Sequence, residues 1–166
     1  MSPMALRRYT DQEIEEFRTM PKRVTASDPW LKKPQIKKPR LNMAVYRQRT
    51  FTAKATEHGN IPFRIYQRHD IEDPGNFSCG IELLNPEGST DSLMLARYNG
   101  SNHNHGDIKK RCHIHRTTAK GIAKDDKYPD NEAHPTDRYA TLAGALLCLA
   151  RDYNIKELAT QQEDLP

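Results

Sequence analysis

The sequence predicts an α+β fold: a twisted antiparallel β-meander packed against a C-terminal helix, with a short N-terminal helix and a basic extended arm. Three observations support this prediction. Short runs rich in Val, Ile, Tyr, Phe and Thr recur at roughly 8–12-residue spacing with turn residues between them. A helical apolar stripe closes the chain, and a Pro-rich basic segment follows the first helix. The predicted divisions are 1–40 for helix and arm, 41–156 for the α+β domain and 157–166 for a tail.

The first helix is predicted to begin after Thr10. The run Thr10-Asp-Gln-Glu13 matches a capping box, in which the first and last residues each satisfy the other's backbone N–H. Ile14 and Phe17 follow at helical spacing, and Pro21 ends the run.

Residues 22–40 form the basic arm. Its closely spaced prolines disfavour a helix and favour an extended, solvated path. Residues 1–50 carry 12 of the 26 Lys and Arg and 5 of the 22 Asp and Glu, a net charge of +7, whereas the rest of the chain carries −3. This asymmetry fits an arm on a nucleic-acid backbone, or a disordered solubilising leader. Trp30 is expected to dock on the body or to meet a partner. The candidate nucleic-acid contacts of the arm are Lys32, Lys33, Lys37 and Lys38.

The middle of the chain predicts successive strands. Residues 61–68 alternate, with Phe63 and Ile65 on one side and Arg64 and Tyr66 on the other. Turn residues around Asp73-Pro-Gly75 separate this run from the next. The further predictions are strands at 77–83, 93–98 and 112–118, and a polar loop at 119–135.

The last element is predicted as an amphipathic helix that begins at Thr136 or Asp137 and stops near Asn154. Apolar side chains at 3–4-residue spacing would cover the sheet. They are Tyr139, Leu142, Leu146, Leu149 and Tyr153.

Composition narrows the class of protein. Mean hydropathy is −0.90, and no apolar run approaches the ~20 residues that span a bilayer. The first ten residues lack the apolar stretch of a secretory signal. Three widely spaced cysteines (Cys79, Cys112 and Cys148) fit a reduced, cytoplasmic protein without a disulfide framework.

Four of the seven histidines lie between His103 and His115, as two His-x-His pairs. Imidazole can act as acid, base or metal ligand near neutral pH. Because side chains alternate along a strand, His113 and His115 are expected on one exposed face, with Ile114 toward the core.

General acid–base cleavage of a phosphodiester is the first chemistry this pattern suggests. One histidine would remove the 2′-hydroxyl proton of RNA, another would protonate the leaving oxygen, and a cation would hold the phosphate. RNA supplies its own nucleophile, so no metal or cofactor is needed. The predicted catalytic residues are His113 and His115, with His103 or His105 able to replace one of them, and Arg97.

Two alternatives stay open. Two His-x-His pairs offer three or four imidazoles to zinc, with Asp107 and Cys112 as further ligands, although no strict metal motif accompanies them. Otherwise the histidines serve only solubility or contact with a partner.

Polar side chains around the histidines predict nucleic-acid binding. Asn99 would position the loop or the substrate, and Tyr98 would offer a surface on which bases stack. The cations expected to bind phosphate are Lys109, Lys110, Arg111 and Arg116.

The stretch 63–155 resembles a family of small proteins, with no assigned activity, from bacterial genomes and mobile elements. The Arg-x-Asn-Gly and His-Ile-His signature of that family is the main likeness. The matching elements are Phe63-Arg-Ile-Tyr66, Asn76 to Ile81, Arg97-Tyr-Asn-Gly100, His103 with His105, His113-Ile-His115 and the closing helix. The resemblance implies a toxin–antitoxin or phage-conflict role.

Together these observations predict a cytoplasmic protein directed at nucleic acid, first of all a metal-independent endoribonuclease of toxin type. Its expected partners are RNA or another nucleic acid and a protein such as an antitoxin or host machinery, with no membrane. The alternative is a non-enzymatic inhibitor or interaction protein that blocks a nucleic-acid machine. A zinc-site protein is the third prediction.

Overall fold

The computed structural model describes residues 8–34, 45–84, 92–102, 110–124, 129–130 and 132–159. Within these ranges eight strands form one antiparallel sheet with four α-helices around it, which confirms the predicted α+β fold. The strands are β1 (Arg23–Ser27), β2 (Leu31–Pro34), β3 (Val45–Ala55), β4 (Ile61–Asp70), β5 (Phe77–Leu83), β6 (Leu93–Asn99), β7 (His113–Arg116) and β8 (Ala133–Pro135). The helices are α1 (Asp11–Thr19), α2 (Ala119–Lys124), α3 (Leu142–Asp152) and α4 (Lys156–Ala159).

The sheet is a meander from β3 to β8, and β1 and β2 both pair with the outer edge of β3. The predicted solvated arm is therefore wrong for residues 23–34, because much of this segment satisfies the backbone groups of an edge strand. Lys32 and Lys33 lie in β2, and the predicted contacts Lys37 and Lys38 lie outside the described residues.

Helices α1 and α3 pack on one side of the sheet, which we call the helix face. Phe17 of α1 meets Phe63 edge-on, with ring centroids 6.4 Å apart. The predicted capping box of α1 is confirmed: Thr10 Oγ1 accepts from the Glu13 N–H at 3.1 Å, and Glu13 Oε1 accepts from the Thr10 N–H at 3.1 Å. On this face Phe63 and Ile65 of β4 and Cys79 and Ile81 of β5 are fully buried, as the alternation predicts.

The start of α3 differs from the prediction. Thr141, not Thr136 or Asp137, is the N-cap, and its Oγ1 accepts from the Gly144 N–H at 3.0 Å. Asn154 adopts the left-handed conformation (φ 58°) just after the helix, as expected for a stop. The predicted polar loop 119–135 is also wrong in part, because it contains α2 and β8.

A β-bulge at Leu95 determines which residues of β6 face which side. Ile81 pairs with Ala96 and Glu82 with Met94, so Leu95 has no partner on β5. The alternation is reversed beyond this point, so Arg97 turns away from the helix face.

Lys22 joins the ends of α1 and α3. Its side chain is 2% exposed, and Nζ donates to the carbonyls of Met20 (2.9 Å), Tyr153 (2.6 Å) and Arg18 (3.3 Å). Its backbone N–H donates to the Asn154 carbonyl at 3.0 Å. Burial lowers the pKa of Lys22 to about 7.

No helix in the part of the chain described is long and apolar enough to cross a membrane. All three cysteines are free thiols, with Cys79 and Cys112 buried.

Candidate functional site

Four of the predicted site residues meet on the side of the sheet opposite the helices, which we call the polar face. The register of β6 and β7 pairs Arg97 with His115 and Asn99 with His113. The two imidazole centroids are 5.3 Å apart. The pairing therefore places two bases, a cation and an amide in one compact patch.

The predicted exposure of the two histidines is wrong. His113 is 0% exposed and His115 is 1% exposed, while Ile114 between them faces the helices as expected. Asp130, itself 3% exposed, packs against this part of the polar face. Alternation along β7 predicts which way each side chain points, but it does not show that a later segment folds back over them.

His115 is oriented by Asp130. Its Nδ1 lies 2.9 Å from the Asp130 carbonyl oxygen, which can only accept, so Nδ1 carries the proton and Nε2 is the basic nitrogen of the neutral ring. Arg97 Nε donates to the Asp130 carboxylate at 2.5 Å. Arg97 Nη2 also lies 3.4 Å from His115 Nδ1, but two donors face each other there, so this contact is proximity rather than a hydrogen bond.

His113 ends a chain of hydrogen bonds that crosses the polar face. Its Nδ1 donates to the Arg111 carbonyl at 3.0 Å, which leaves Nε2 to face the Asn99 amide nitrogen at 3.5 Å. Ser78 Oγ donates to Asn99 Oδ1 at 2.6 Å and so fixes that amide orientation. The Tyr66 hydroxyl lies 3.1 Å from Ser78 Oγ.

Sequence reasoning missed Tyr66, Ser78 and Asp130 as site residues. Tyr66 lies across Gly80, where an added Cβ would come within 2.6 Å of Tyr66 Cε1. Burial raises the pKa of Tyr66, so its phenol stays neutral near pH 7. Tyr66 and Ser78 lie in strands that the sequence predicted correctly. Alternation of side chains along these strands could therefore have placed both residues on the polar face. Nothing in the sequence pattern singled out Asp130.

Tyr139 supports the site from the helix face. Its hydroxyl lies 2.9 Å from the Asn99 carbonyl and 3.0 Å from the His113 carbonyl, and it donates between them. Burial raises the pKa of Tyr139, so the hydroxyl keeps its proton. This contact fixes the spacing of β6 and β7 behind Asn99 and His113.

Tyr98 and Arg116 face the helices, on the side of the sheet opposite His113 and His115, and burial of Tyr98 contradicts its predicted role as a surface on which bases stack. Tyr98 is fully buried, and its hydroxyl donates to Asp152. Arg116 Nη2 lies 3.4 Å from the same carboxylate, which Arg138 holds with two contacts of 2.8 Å. Burial alone would raise the pKa of Asp152, but the hydrogen bonds from Arg138 and Tyr98 hold it below its usual range.

The other predicted cations have different positions. Arg111 is exposed and contacts Asp137 at 3.3 Å, although its carbonyl orients His113. Lys110 is exposed in a left-handed conformation (φ 54°). His103, His105 and Lys109 lie outside the described residues. Among the residues that are described, no three His, Cys, Asp or Glu side chains are arranged to hold a metal ion.

The polar face continues from the histidines toward β3 as a strip of Tyr46, Arg68 and Tyr66, which we call the aromatic–arginine strip. The Arg68 guanidinium carbon is 5.4 Å from the Tyr46 ring centroid and 6.0 Å from that of Tyr66. Sheet faces that bind RNA combine such aromatic rings, on which bases stack, with cations that contact phosphate.

Comparison with protein-family models, curated proteins and solved structures gives no match to this chain. The family resemblance therefore stays a prediction.

Proposed function

We propose that the polar face binds RNA and that His113 and His115 cleave it by metal-independent acid–base catalysis. The observation that carries the proposal is the pair of adjacent imidazoles, each with Nδ1 held by a main-chain carbonyl, beside the Arg97 guanidinium. One Nε2 removes the 2′-hydroxyl proton and the other imidazole protonates the leaving oxygen. Arg97 stabilises the charge that develops on the phosphate.

The aromatic–arginine strip supplies the RNA-binding surface in this proposal. The scissile phosphate takes the place of the Asp130 carboxylate on Arg97, and this exchange gives it access to the buried histidines. As parts of the same proposal, the enzyme acts in the cytoplasm as a toxin, and an antitoxin or a component of host machinery is its protein partner.

The test of this proposal is cleavage of a mixed RNA pool in excess EDTA. The native chain should cleave RNA at the same rate with and without the chelator, because no metal takes part. His58→Ala, which removes an exposed imidazole elsewhere, should cleave like the native chain. No cleavage by the native protein would overturn the proposal.

We expect Asp130→Asn to bind RNA roughly five- to tenfold more tightly at low salt, because Arg97 loses its intramolecular carboxylate partner. The change is close to isosteric, so the main-chain contact to His115 is kept. Fluorescence anisotropy with a labelled single-stranded RNA measures the effect. Asp137→Asn removes an exposed carboxylate outside the polar face and should change affinity much less. Equal gains in the two variants would contradict a specific role for Asp130.

A non-enzymatic binding protein is the second candidate, and the complete burial of His113 favours it. In that case the polar face contacts nucleic acid or a nucleic-acid machine, and the histidine network serves only to hold β6 and β7 in place. Binding of RNA without cleavage in the EDTA assay would support this function.

A further inference from the structure

Three buried side-chain nitrogens in the described part of the chain have no hydrogen-bond partner, and all three lie in one cluster. They are Arg47 Nε, Gln67 Nε2 and His69 Nε2. The register of β3 and β4 pairs Arg47 with His69 and Arg49 with Gln67, so these four side chains form a square on the helix face. Gln67 is 0% exposed. Native proteins rarely leave buried polar atoms without partners, so such a concentration of them suggests a missing ligand.

The cluster offers hydrogen-bond donors and positive charge. Arg49 Nε donates to Gln67 Oε1 at 2.9 Å, which fixes the orientation of the amide. The two N–H groups of the Gln67 amide nitrogen are therefore the ones without a partner. Arg47 Nε is a donor under all conditions. His69 Nδ1 donates to the Asp70 carbonyl at 3.2 Å, so Nε2 is the ring nitrogen that has no partner.

Trp30 covers this square from the loop between β1 and β2. Its ring centroid is 5.3 Å from that of His69 in an edge-on arrangement. The guanidinium carbons of Arg49 and Arg47 lie 5.0 Å and 5.8 Å from the indole centroid. Trp30, the two arginines and His69 are partly exposed, so the cluster is in contact with solvent beside the indole.

We propose that this cluster, formed by Trp30, Arg47, Arg49, Gln67 and His69, binds a phosphate group. The donors approach from both strands, and a tetrahedral phosphate offers acceptor oxygens in several directions, whereas a carboxylate offers two in one plane. Guanidinium groups suit phosphate in both charge and geometry. The cluster lies on the opposite side of the sheet from His113, so this inference does not depend on the proposed catalysis.

The single tryptophan of the chain makes the test direct, because all indole fluorescence comes from Trp30. Titration of the full chain with inorganic phosphate at constant ionic strength should give a saturable change in emission. Gln67→Leu and Arg47→Met should each weaken phosphate binding about tenfold, which is the loss expected for one hydrogen bond to a charged group. Arg23→Met, which removes an exposed cation near the other end of β3, should leave the response unchanged.

Comparison with one further titration identifies the source of the phosphate. A short oligonucleotide without terminal phosphate reports binding of a backbone diester, and inorganic phosphate reports binding of a free group; a saturable response to either one supports the site. Circular dichroism checks that each variant folds, and if Gln67→Leu does not, Arg47→Met decides the test. Three results would each overturn the proposal: no saturable response to any phosphate, an equal response to acetate, or native affinity in the folded variants.

Discussion

Replacing either His113 or His115 with alanine should lower the single-turnover rate of RNA cleavage by about 10²–10⁴-fold, the usual contribution of a positioned acid or base. The two imidazoles lie 5.3 Å apart and, in the proposed reaction, act on the same phosphate, so they should behave as one unit. We therefore expect the double variant to be little slower than the slower of the two single variants. Quench-flow or gel assays at saturating enzyme measure the chemical step without contributions from binding.

Binding should change far less than the rate in these variants, because the aromatic–arginine strip is intact. RNA affinity within roughly threefold of the native value is the expected result, since the rings and cation of the strip, rather than the imidazoles, bind the RNA in this proposal. His58→Ala is the matched control for loss of a histidine. A rate unchanged by both substitutions would exclude the acid–base assignment. Rate and affinity that fall together would favour the binding-protein alternative instead.

Replacing Lys22 with methionine should lower the free energy of unfolding by about 2 kcal/mol at pH 8 or above. The carbonyls of Arg18, Met20 and Tyr153 lose the Lys22 amine, and buried acceptors without partners are costly. At this pH the amine is neutral and has two N–H groups for the three carbonyls, so the loss is smaller than that of three full hydrogen bonds. Urea denaturation followed by circular dichroism measures the difference. Lys54→Met, at an exposed position of β3, is the control and should change stability much less.

The same pair of proteins should show a distinctive dependence on pH. Burial lowers the pKa of Lys22 from 10.5 to about 7, so between these values the unfolded chain binds more protons than the folded one. The contribution of Lys22 to stability therefore rises with pH through this window and is lost as pH falls through 7. The stability difference between the native chain and Lys22→Met should widen from pH 7 to pH 10. A difference that is constant or narrows would show that the ammonium stays charged in the core.

Much of the fold could be predicted from local patterns. The capping box at Thr10, the alternation along 61–68 and the stop at Asn154 depend on neighbouring residues, and all three are confirmed. The edge strands could not be recognised in the same way. Pro34 lies at the end of β2, where a strand at the sheet edge tolerates proline, yet the same prolines look like those of a solvated linker.

The candidate site likewise has one part that local patterns predict and another part that depends on tertiary packing. The alternation along β7 predicted that His113 and His115 lie on one side of the sheet. The register between β6 and β7 places Arg97 and Asn99 beside them on that side. Burial of the site depends on Asp130, which is fifteen residues beyond His115 and is brought there by tertiary packing. No local sequence pattern shows that the segment containing Asp130 folds back against His115.

The bulge at Leu95 gives β6 an unusual sensitivity to changes in its length. A substitution at this position alters one side chain. Removal of one residue would instead restore strict alternation, so that the side chains in either the first or the second half of β6 would change face. If β7 kept its register, Arg97 and Asn99 would then face the helices, and Tyr98 would face the histidines. Length variation, harmless in most turns of a meander, should therefore be nearly absent from β6 among functional variants recovered from an insertion–deletion library.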